Sequence, residues 1–140
     1  MALSFNFYFD AALTQPVTAE TPISAAFTGA ASTDLQLWFG STASSTQVQD
    51  LTTPGTTPIS ISPSDSAAGS GQPDTALKLS TSQAGLDTAT AGATLEIGTT
   101  VLSGVANAFP FWLRISNALT AVAVYTDLSL ITSEIIESPV

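Results

Sequence analysis

The chain has 140 residues, of which 44% are hydrophobic and only 9% are charged, and its formal net charge at pH 7 is −9. It contains no histidine or cysteine, and its only basic residues are Lys78 and Arg114, which excludes histidine-based catalytic triads and metal sites with histidine or thiolate ligands. Because binding to nucleic acids or acidic membranes needs several cations, we predict no partner of either kind, no cofactor and no enzymatic activity.

The first predicted element is a β-strand at residues 3–9, where large apolar residues at odd positions alternate with Ser4, Asn6 and Tyr8. This period of two is typical of a half-buried strand. Two interpretations remain open: a core strand of its own domain, or an arm (residues 1–9) that pairs with a neighbouring subunit. The arm would make its contacts through Phe5, Phe7, Tyr8 and Phe9.

Several later segments repeat this alternation and are separated by turns rich in Gly, Pro, Asn and Asp. Their spacing predicts strands near residues 23–27, 35–39, 59–61, 77–79, 95–97, 109–115, 122–124 and 128–130. Short alternating strands at near-regular spacing are typical of all-β proteins. We predict one β-sandwich domain over residues 1–140, immunoglobulin-like or jelly-roll, with a core that includes Phe5, Phe7, Leu37, Phe39, Phe111, Leu113 and Ile115.

The segments between these strands are predicted to be long polar loops. Residues 41–57 and 64–74 are rich in Ser, Thr, Pro and Gly, with room for a short strand near Val48. Residues 82–93 contain several Ala, but their Gly and Thr residues allow at most a short helical turn or a surface loop. We expect residues 137–140 to form a free tail.

Three acidic residues in these loops, Asp65, Asp74 and Asp87, are candidate calcium ligands, because carboxylates and backbone carbonyls are the ligands that calcium prefers. The spacing of an EF-hand loop is absent, however. Aspartates in such loops more often close Asx turns or face solvent. We therefore predict no metal site.

Two tryptophans, Trp38 and Trp112, fall on the polar face of their predicted strands. Aromatic rings on an open sheet face indicate either a platform for carbohydrate or packing in the core or at a subunit interface. Arg114 follows Trp112 on the same face and is predicted to pair with an acid such as Glu96 or Asp127. In so uncharged a chain, a single arginine is a candidate interface anchor.

Three stretches, LQLWFGS (35–41), GLDTATAGATLEIGTTVLSGVANAFPFWLRISNA (85–118) and TDLSLITSEIIE (126–137), resemble small virion structural proteins of tailed bacteriophages. The resemblance covers the C-terminal half best and the first 30 residues poorly. It implies a β-sandwich of immunoglobulin-like or jelly-roll type, assembled with other head, neck or tail proteins. No functional residue of that family can be transferred to this chain.

The resemblance and the low charge together predict a capsid decoration (cement) protein that binds and stabilises the phage shell, with the major capsid protein as its main partner. The expected location is the virion, assembled in the host cytoplasm. Because surface that stays buried after assembly need not be charged, we also expect a homo-oligomer, with a trimer as the favoured form. The alternative is a receptor- or carbohydrate-binding module of a tail fibre or baseplate.

Overall fold

The computed structural model describes residues 3–18, 20–27, 31–66, 73–117 and 128–140. In these residues the protein is all-β, with three short 3₁₀ turns at Asp74–Ala76, Ala84–Asp87 and Val105–Asn107. The strands are β1 (Asn6–Tyr8), β2 (Ala31–Gly40), β3 (Thr46–Asp50), β4 (Ser60–Asp65), β5 (Leu77–Ser80), β6 (Leu95–Glu96), β7 (Thr100–Leu102), β8 (Phe109–Asn117), β9 (Leu128–Thr132) and β10 (Ile135–Pro139).

The strands form three antiparallel sheets, each of them open. The largest has the order β1-β2-β8-β5, and the other two have the orders β10-β3-β7 and β6-β4-β9. Strands β2 and β8 are the centre of the largest sheet and stay in register over nine residue pairs, from Ala31↔Asn117 to Phe39↔Phe109. These are the two segments with the longest apolar–polar alternation, so one side of each is fixed toward the interior.

The core contains side chains from all three sheets. Leu37 and Phe111 of the four-stranded sheet are fully buried, as are Val48 of β3 and Ile61 of β4. Among the predicted core residues, Phe5, Leu37, Phe39, Phe111 and Leu113 are buried, whereas Phe7 and Ile115 are partly buried and pack against the core.

Aromatic rings make up one part of this core. The ring centroid of Phe7 lies 5.4 Å from that of Phe39 and 5.9 Å from that of Phe111, the second pair meeting edge to face. Tilted and edge-to-face contacts of this kind add about 0.5–1.5 kcal/mol per pair to the burial of the rings. The N-terminal strand is therefore tied to the central strands of the sheet by aromatic packing.

Backbone hydrogen bonds continue the strand pairing of each three-stranded sheet up to the short link between β9 and β10. The amide of Leu51, just after β3, donates to the carbonyl of Glu134, just before β10, at 3.0 Å. The amide of Ser133, just after β9, donates to the carbonyl of Ser60 at the start of β4, at 2.9 Å. Strands β9 and β10 follow each other along the chain and pair with β4 and β3, respectively. Strands β3 and β4 are also consecutive, but residues 51–59 lie between them.

The prediction of a free tail at residues 137–140 is wrong. Strand β10 pairs with β3 from Ile135↔Asp50 to Pro139↔Thr46, and the amide of Val140 donates to the carbonyl of Ser45 at 2.9 Å. The short strand expected near Val48 is confirmed as β3, and it is this strand that gives the C-terminal residues a partner.

The strand predicted at residues 23–27 is also wrong. Residues 20–27 contain no strand, although Ile23 packs against the core from an irregular segment. The strand predicted at residues 122–124 lies outside the described residues. In the part of the chain that is described, no helix is long and apolar enough to cross a membrane.

Candidate functional site

The outward side of the four-stranded sheet carries both tryptophans and both basic residues of the chain. We call it the tryptophan face. The register of the strands arranges its side chains in three rows, which are Tyr8–Trp38–Pro110, Gln36–Trp112–Ser80 and Asp34–Arg114–Lys78. Because alternate residues of these strands are in the core, the side chains of these rows point away from it.

Trp38 and Trp112 are diagonal neighbours in adjacent rows of this face. Diagonal positions on an antiparallel pair are about 7–8 Å apart, within reach of large aromatic side chains. Both tryptophans are partly exposed, and Gln36 lies directly opposite Trp112 and two residues before Trp38 on the same strand. The strip therefore offers two aromatic surfaces and one amide, a combination suited to stacking and hydrogen bonding.

Arg114 is held in place by two carboxylates. Its Nε donates to Oδ1 of Asp34 at 2.7 Å and its Nη2 donates to Oδ2 of the same residue at 3.0 Å, a bidentate pair. Its Nη1 donates to Oδ1 of Asp87 at 2.9 Å. The prediction that Glu96 pairs with Arg114 is therefore wrong, because Asp34 faces Arg114 across the strands. The other predicted partner, Asp127, lies outside the described residues.

The pairing of Arg114 shifts pKa values in the direction that keeps the groups charged. Hydrogen bonds from Arg114 hold the pKa of Asp34 below its ordinary value, against the opposing effect of partial burial. The carboxylates of Asp34 and Asp87 raise the pKa of Arg114 above its ordinary value. With Lys78 in the same row, two cations and two carboxylates balance locally in a chain whose net charge is −9.

The loop that follows β5 lies over one end of the tryptophan face. Asp87 in this loop reaches Arg114, and Nε2 of Gln83 lies 3.4 Å from Oδ2 of Asp34. A Cβ added at Gly85 would lie too close to the hydroxyl oxygens of Ser80 and Ser82, so these two side chains would have to rotate to admit it.

A second loop covers the opposite end of the face. The carboxylate of Asp10 accepts hydrogen bonds from the amides of Thr14 and Gln15, each at 3.0 Å, and closes the turn. Leu13 in this loop is 4% exposed, and its side chain packs at Gly40, next to the row that contains Tyr8. The strip formed by Trp38, Gln36 and Trp112 therefore lies between two loops.

The predicted contact residues of the N-terminal strand are used largely within the chain. Phe5 is 5% exposed, and its ring centroid lies 5.8 Å from that of Phe39. Phe7 and Phe9 are partly buried against the core, and Tyr8 on the other side is 6% exposed. Phe5 is therefore a core residue of its own chain. Contacts of Phe5, Phe7, Tyr8 and Phe9 with a second subunit remain a prediction.

The three loop aspartates do not form a common site. Asp87 pairs with Arg114, Asp74 begins a 3₁₀ turn, and Asp65 ends β4. Among the residues that the structure describes, no three acidic side chains are close enough together to hold a metal ion.

A second surface was missed by the sequence analysis. We call it the aliphatic face, the outward side of the sheet β10-β3-β7. Its side chains lie in two rows, Ile136–Gln49–Thr100 and Ser138–Gln47–Leu102. Ile136 and Leu102 are each 42% exposed, and none of the six side chains is ionisable. The sequence does not predict this face, because Ile136 belongs to a segment without apolar–polar alternation.

A buried carboxylate also escaped the sequence analysis. Glu137 of β10 points inward, is 9% exposed, and accepts hydrogen bonds from the amide and the Oγ of Ser4, at 2.7 and 2.6 Å, and from Oγ1 of Thr46, at 2.8 Å. Burial acts to raise the pKa of Glu137, but the hydrogen bonds outweigh it and hold the pKa below its ordinary value. These contacts connect the N-terminal segment, β3 and β10, which is a structural role.

No protein family model, curated protein or solved structure matches this chain. Its function must therefore be inferred from its own surfaces. Two of them have features that point to a ligand or partner: the tryptophan face, with its exposed rings, and the aliphatic face, with its exposed side chains and lack of charge.

Proposed function

We propose that this chain is a non-catalytic structural protein of a phage virion, a capsid decoration (cement) protein that acts by docking on other proteins. The observation that carries the proposal is the position of its exposed apolar side chains. In the described part of the chain they are Leu3, which precedes β1, and six residues on or near strands β3, β7, β9 and β10: Leu51, Leu102, Val105, Ile131, Ile136 and Val140.

Exposed aliphatic side chains that share one face indicate a contact surface, and Leu102 and Ile136 share the outward side of one sheet. Burying apolar area stabilises a contact by about 25 cal/mol per Å², so even a small shared patch contributes to docking. A cement protein multiplies such weak contacts over many copies on a shell, and this avidity stabilises the shell more than one contact does. The low charge of the chain suits this role, because few charged groups lose their hydration on docking.

For the fold, we propose a single two-layered β-sandwich. The four-stranded sheet forms one layer, and the sheets β10-β3-β7 and β6-β4-β9 together form the other. Strand β9 leads into β10 through residues 133–134, and β6 leads into β7 through residues 97–99, so strands of the two smaller sheets follow each other end to end. These short links support the arrangement, as does the core shared by all three sheets. Residues 51–59 would then be an insertion at the bend of the second layer.

We further propose that the major capsid protein is the main partner, that the chain resides in the virion after assembly in the host cytoplasm, and that it forms homo-oligomers. A trimer would match the three-fold junctions of a shell. These proposals rest on the resemblance to phage virion proteins and on the composition of the chain.

Docking is tested by co-expressing the chain with the capsid protein encoded near its own gene and separating the assembled shells by sedimentation. We expect the chain to sediment with the shells and to raise their melting temperature. As a matched pair, Leu102→Asp and Ser32→Asp add the same charge on the exposed parts of opposite sheets. A chain that stays in the supernatant and leaves the shells unchanged would overturn the proposal.

A second candidate function, a carbohydrate-binding module of a tail fibre or baseplate, is favoured by the tryptophan face. Trp38 and Trp112 lie as diagonal neighbours, partly exposed, with Gln36 beside them. Aromatic rings stack on the apolar faces of sugar rings while an amide bonds to hydroxyls. The local balance of charge around Arg114 makes a neutral sugar chain the better ligand.

The carbohydrate function is tested on a glycan array with the unmodified chain, Trp112→Ala and Phe109→Ala. Phe109 is an aromatic of the same strand that packs on the core side. We expect loss of binding in Trp112→Ala and retention in any Phe109→Ala protein that remains folded. Absence of binding by the unmodified chain to every neutral glycan would exclude this function.

A further inference from the structure

Arg114 lies next to the proposed carbohydrate surface but uses its hydrogen-bonding groups inside the chain. It follows Trp112 by two residues on β8, so the two side chains are on the same side of the sheet. Its Nε, Nη1 and Nη2 all donate to the carboxylates of Asp34 or Asp87. A guanidinium whose three nitrogens already have internal acceptors is suited to holding neighbouring groups in place.

These carboxylates connect Arg114 to the loop at residues 81–87, which we call the β5 loop. Asp87 belongs to this loop, and Nε2 of Gln83 in the same loop lies 3.4 Å from Oδ2 of Asp34. Arg114 therefore holds the β5 loop directly through Asp87 and indirectly through Asp34.

The β5 loop also reaches the residue opposite Trp112. Ser80 pairs with Trp112 across β5 and β8, and a Cβ added at Gly85 of the loop would meet the side chain of Ser80. The loop therefore borders Trp112 on the side of Ser80 and on the side of Arg114. A large ring with close neighbours on two sides keeps fewer orientations, and a ring that is fixed before binding loses less entropy when a ligand stacks on it.

Two kinds of interaction hold the β5 loop in place. Leu86 in the loop is fully buried, and this apolar packing does not depend on the charge of Arg114. Asp87 is 70% exposed, so water screens its contact with Arg114, and that contact contributes less to stability than the burial of Leu86. Removal of the Asp87 carboxylate should therefore leave the chain folded but loosen the polar edge of the loop.

We infer that Arg114 is a positioning residue of the tryptophan face. Through Asp87 and Asp34 it fixes the β5 loop beside Trp112, and the loop in turn fixes the ring that stacks on the sugar. The inference rests on the carbohydrate function, the second candidate above, and adds to it a group that does not touch the ligand. It gives a role to the single arginine of the chain.

The position of the ring is tested without a ligand. In a Trp38→Phe background, Trp112 is the single tryptophan, and its fluorescence reports on its surroundings. We expect Asp87→Asn to increase the quenching of this fluorescence by acrylamide about twofold, because the loop leaves the ring more often. Asp87→Glu keeps a carboxylate and should restore most of the original value. Asp74→Asn, which removes the same charge from another 3₁₀ turn, should change nothing.

Binding is then measured on the array of neutral glycans with both tryptophans present. We expect binding to be about two- to fivefold weaker in Asp87→Asn, since exposed ion pairs are weak. It should be at least about tenfold weaker when Asp34→Asn and Arg114→Met are combined, because both contacts with the loop are then lost and Asp34 is not left charged without its partner. Melting curves confirm that each variant is folded.

Three results would overturn the inference and leave the carbohydrate function intact: unchanged quenching in Asp87→Asn, an equal change in Asp74→Asn, or undiminished glycan binding by a variant whose loop is loosened. Failure of the unmodified chain to bind any neutral glycan would overturn both. Sedimentation with shells is measured separately, so the proposed docking function can stand or fall on its own result.

Discussion

Phe111 packs at the point where the N-terminal strand meets the central sheet. Its ring is fully buried and meets Phe7 edge to face at a centroid distance of 5.9 Å. We expect Phe111→Ala to lower the free energy of unfolding by about 3–5 kcal/mol, because both burial and ring contacts are lost and a cavity remains. Phe109→Ala, at a partly buried position of the same strand, should cost less. Equal losses in urea unfolding would contradict this assignment of the core.

Glu137 is a buried residue whose lowered pKa predicts an effect of pH on stability. Glu137→Gln replaces an acceptor oxygen with a donor group facing the hydrogen-bond donors of Ser4 and Thr46. We expect a loss of about 1–3 kcal/mol in the free energy of unfolding at neutral pH, because buried donors lose their acceptor. Glu134→Gln, an exposed neighbour in the same segment, is the control and should change little.

The sign of the pH effect follows from the lowered pKa of Glu137. Because the pKa is lower in the folded chain than its ordinary value of 4.5, ionisation stabilises the folded state above that value, and this contribution is lost as the pH falls through the folded value. The difference between the unmodified chain and Glu137→Gln should therefore shrink from about pH 6 to about pH 3 in urea titrations. A difference that is constant with pH would show that the carboxylate is not the stabilising group.

At the scale of elements, β1 is held in the fold by its pairing with β2 and by contacts of the residues just before it. Its strand pairs with β2, Phe5 before it lies in the core, and Ser4 holds the carboxylate of Glu137. We expect deletion of residues 1–9 to give a protein that does not fold, as measured by circular dichroism and one-dimensional NMR. A folded protein that no longer assembles would instead support the role of these residues as an arm between subunits.

The elements that could be predicted from the sequence are those with a clear alternation. Strands β2 and β8 bury one side only, so the pattern shows both their presence and their orientation. Strand β10 was missed because a glutamate occupies its inward position between Ile136 and Ser138, and only contacts with distant residues make that burial favourable. The segment at residues 23–27 shows the reverse case, since its alternation leads to no strand pairing.

The two candidate surfaces also differ in whether the sequence predicts them. The apolar–polar alternation of their own strands is sufficient to place Trp38 and Trp112 on the polar face. The aliphatic face could not be predicted, because it exists only when β10 and β7 pair on either side of β3. The partner of Arg114 is likewise set by the register of β2 and β8, which brings Asp34 opposite it.

At the scale of the whole molecule, the two basic residues and most of the exposed aliphatic side chains lie on different sheets. Lys78 and Arg114 lie on the tryptophan face, and the exposed aliphatic side chains of the described residues, apart from Leu3, lie on or near the other two sheets. We expect self-association to change less than about tenfold between low and physiological salt, because only 9% of the residues are charged and few charges can be screened. Sedimentation in a salt series measures this. A steep fall in affinity with salt would instead indicate contact through the charged row around Arg114.

The central proposal is that this chain is a structural part of a virion. Electron cryo-microscopy of particles produced from the genome that encodes it tests this most directly. We expect density that fits the three sheets, bound on the shell at symmetry-related positions. Particles that contain no such density, and in which mass spectrometry detects no trace of the chain, would contradict it.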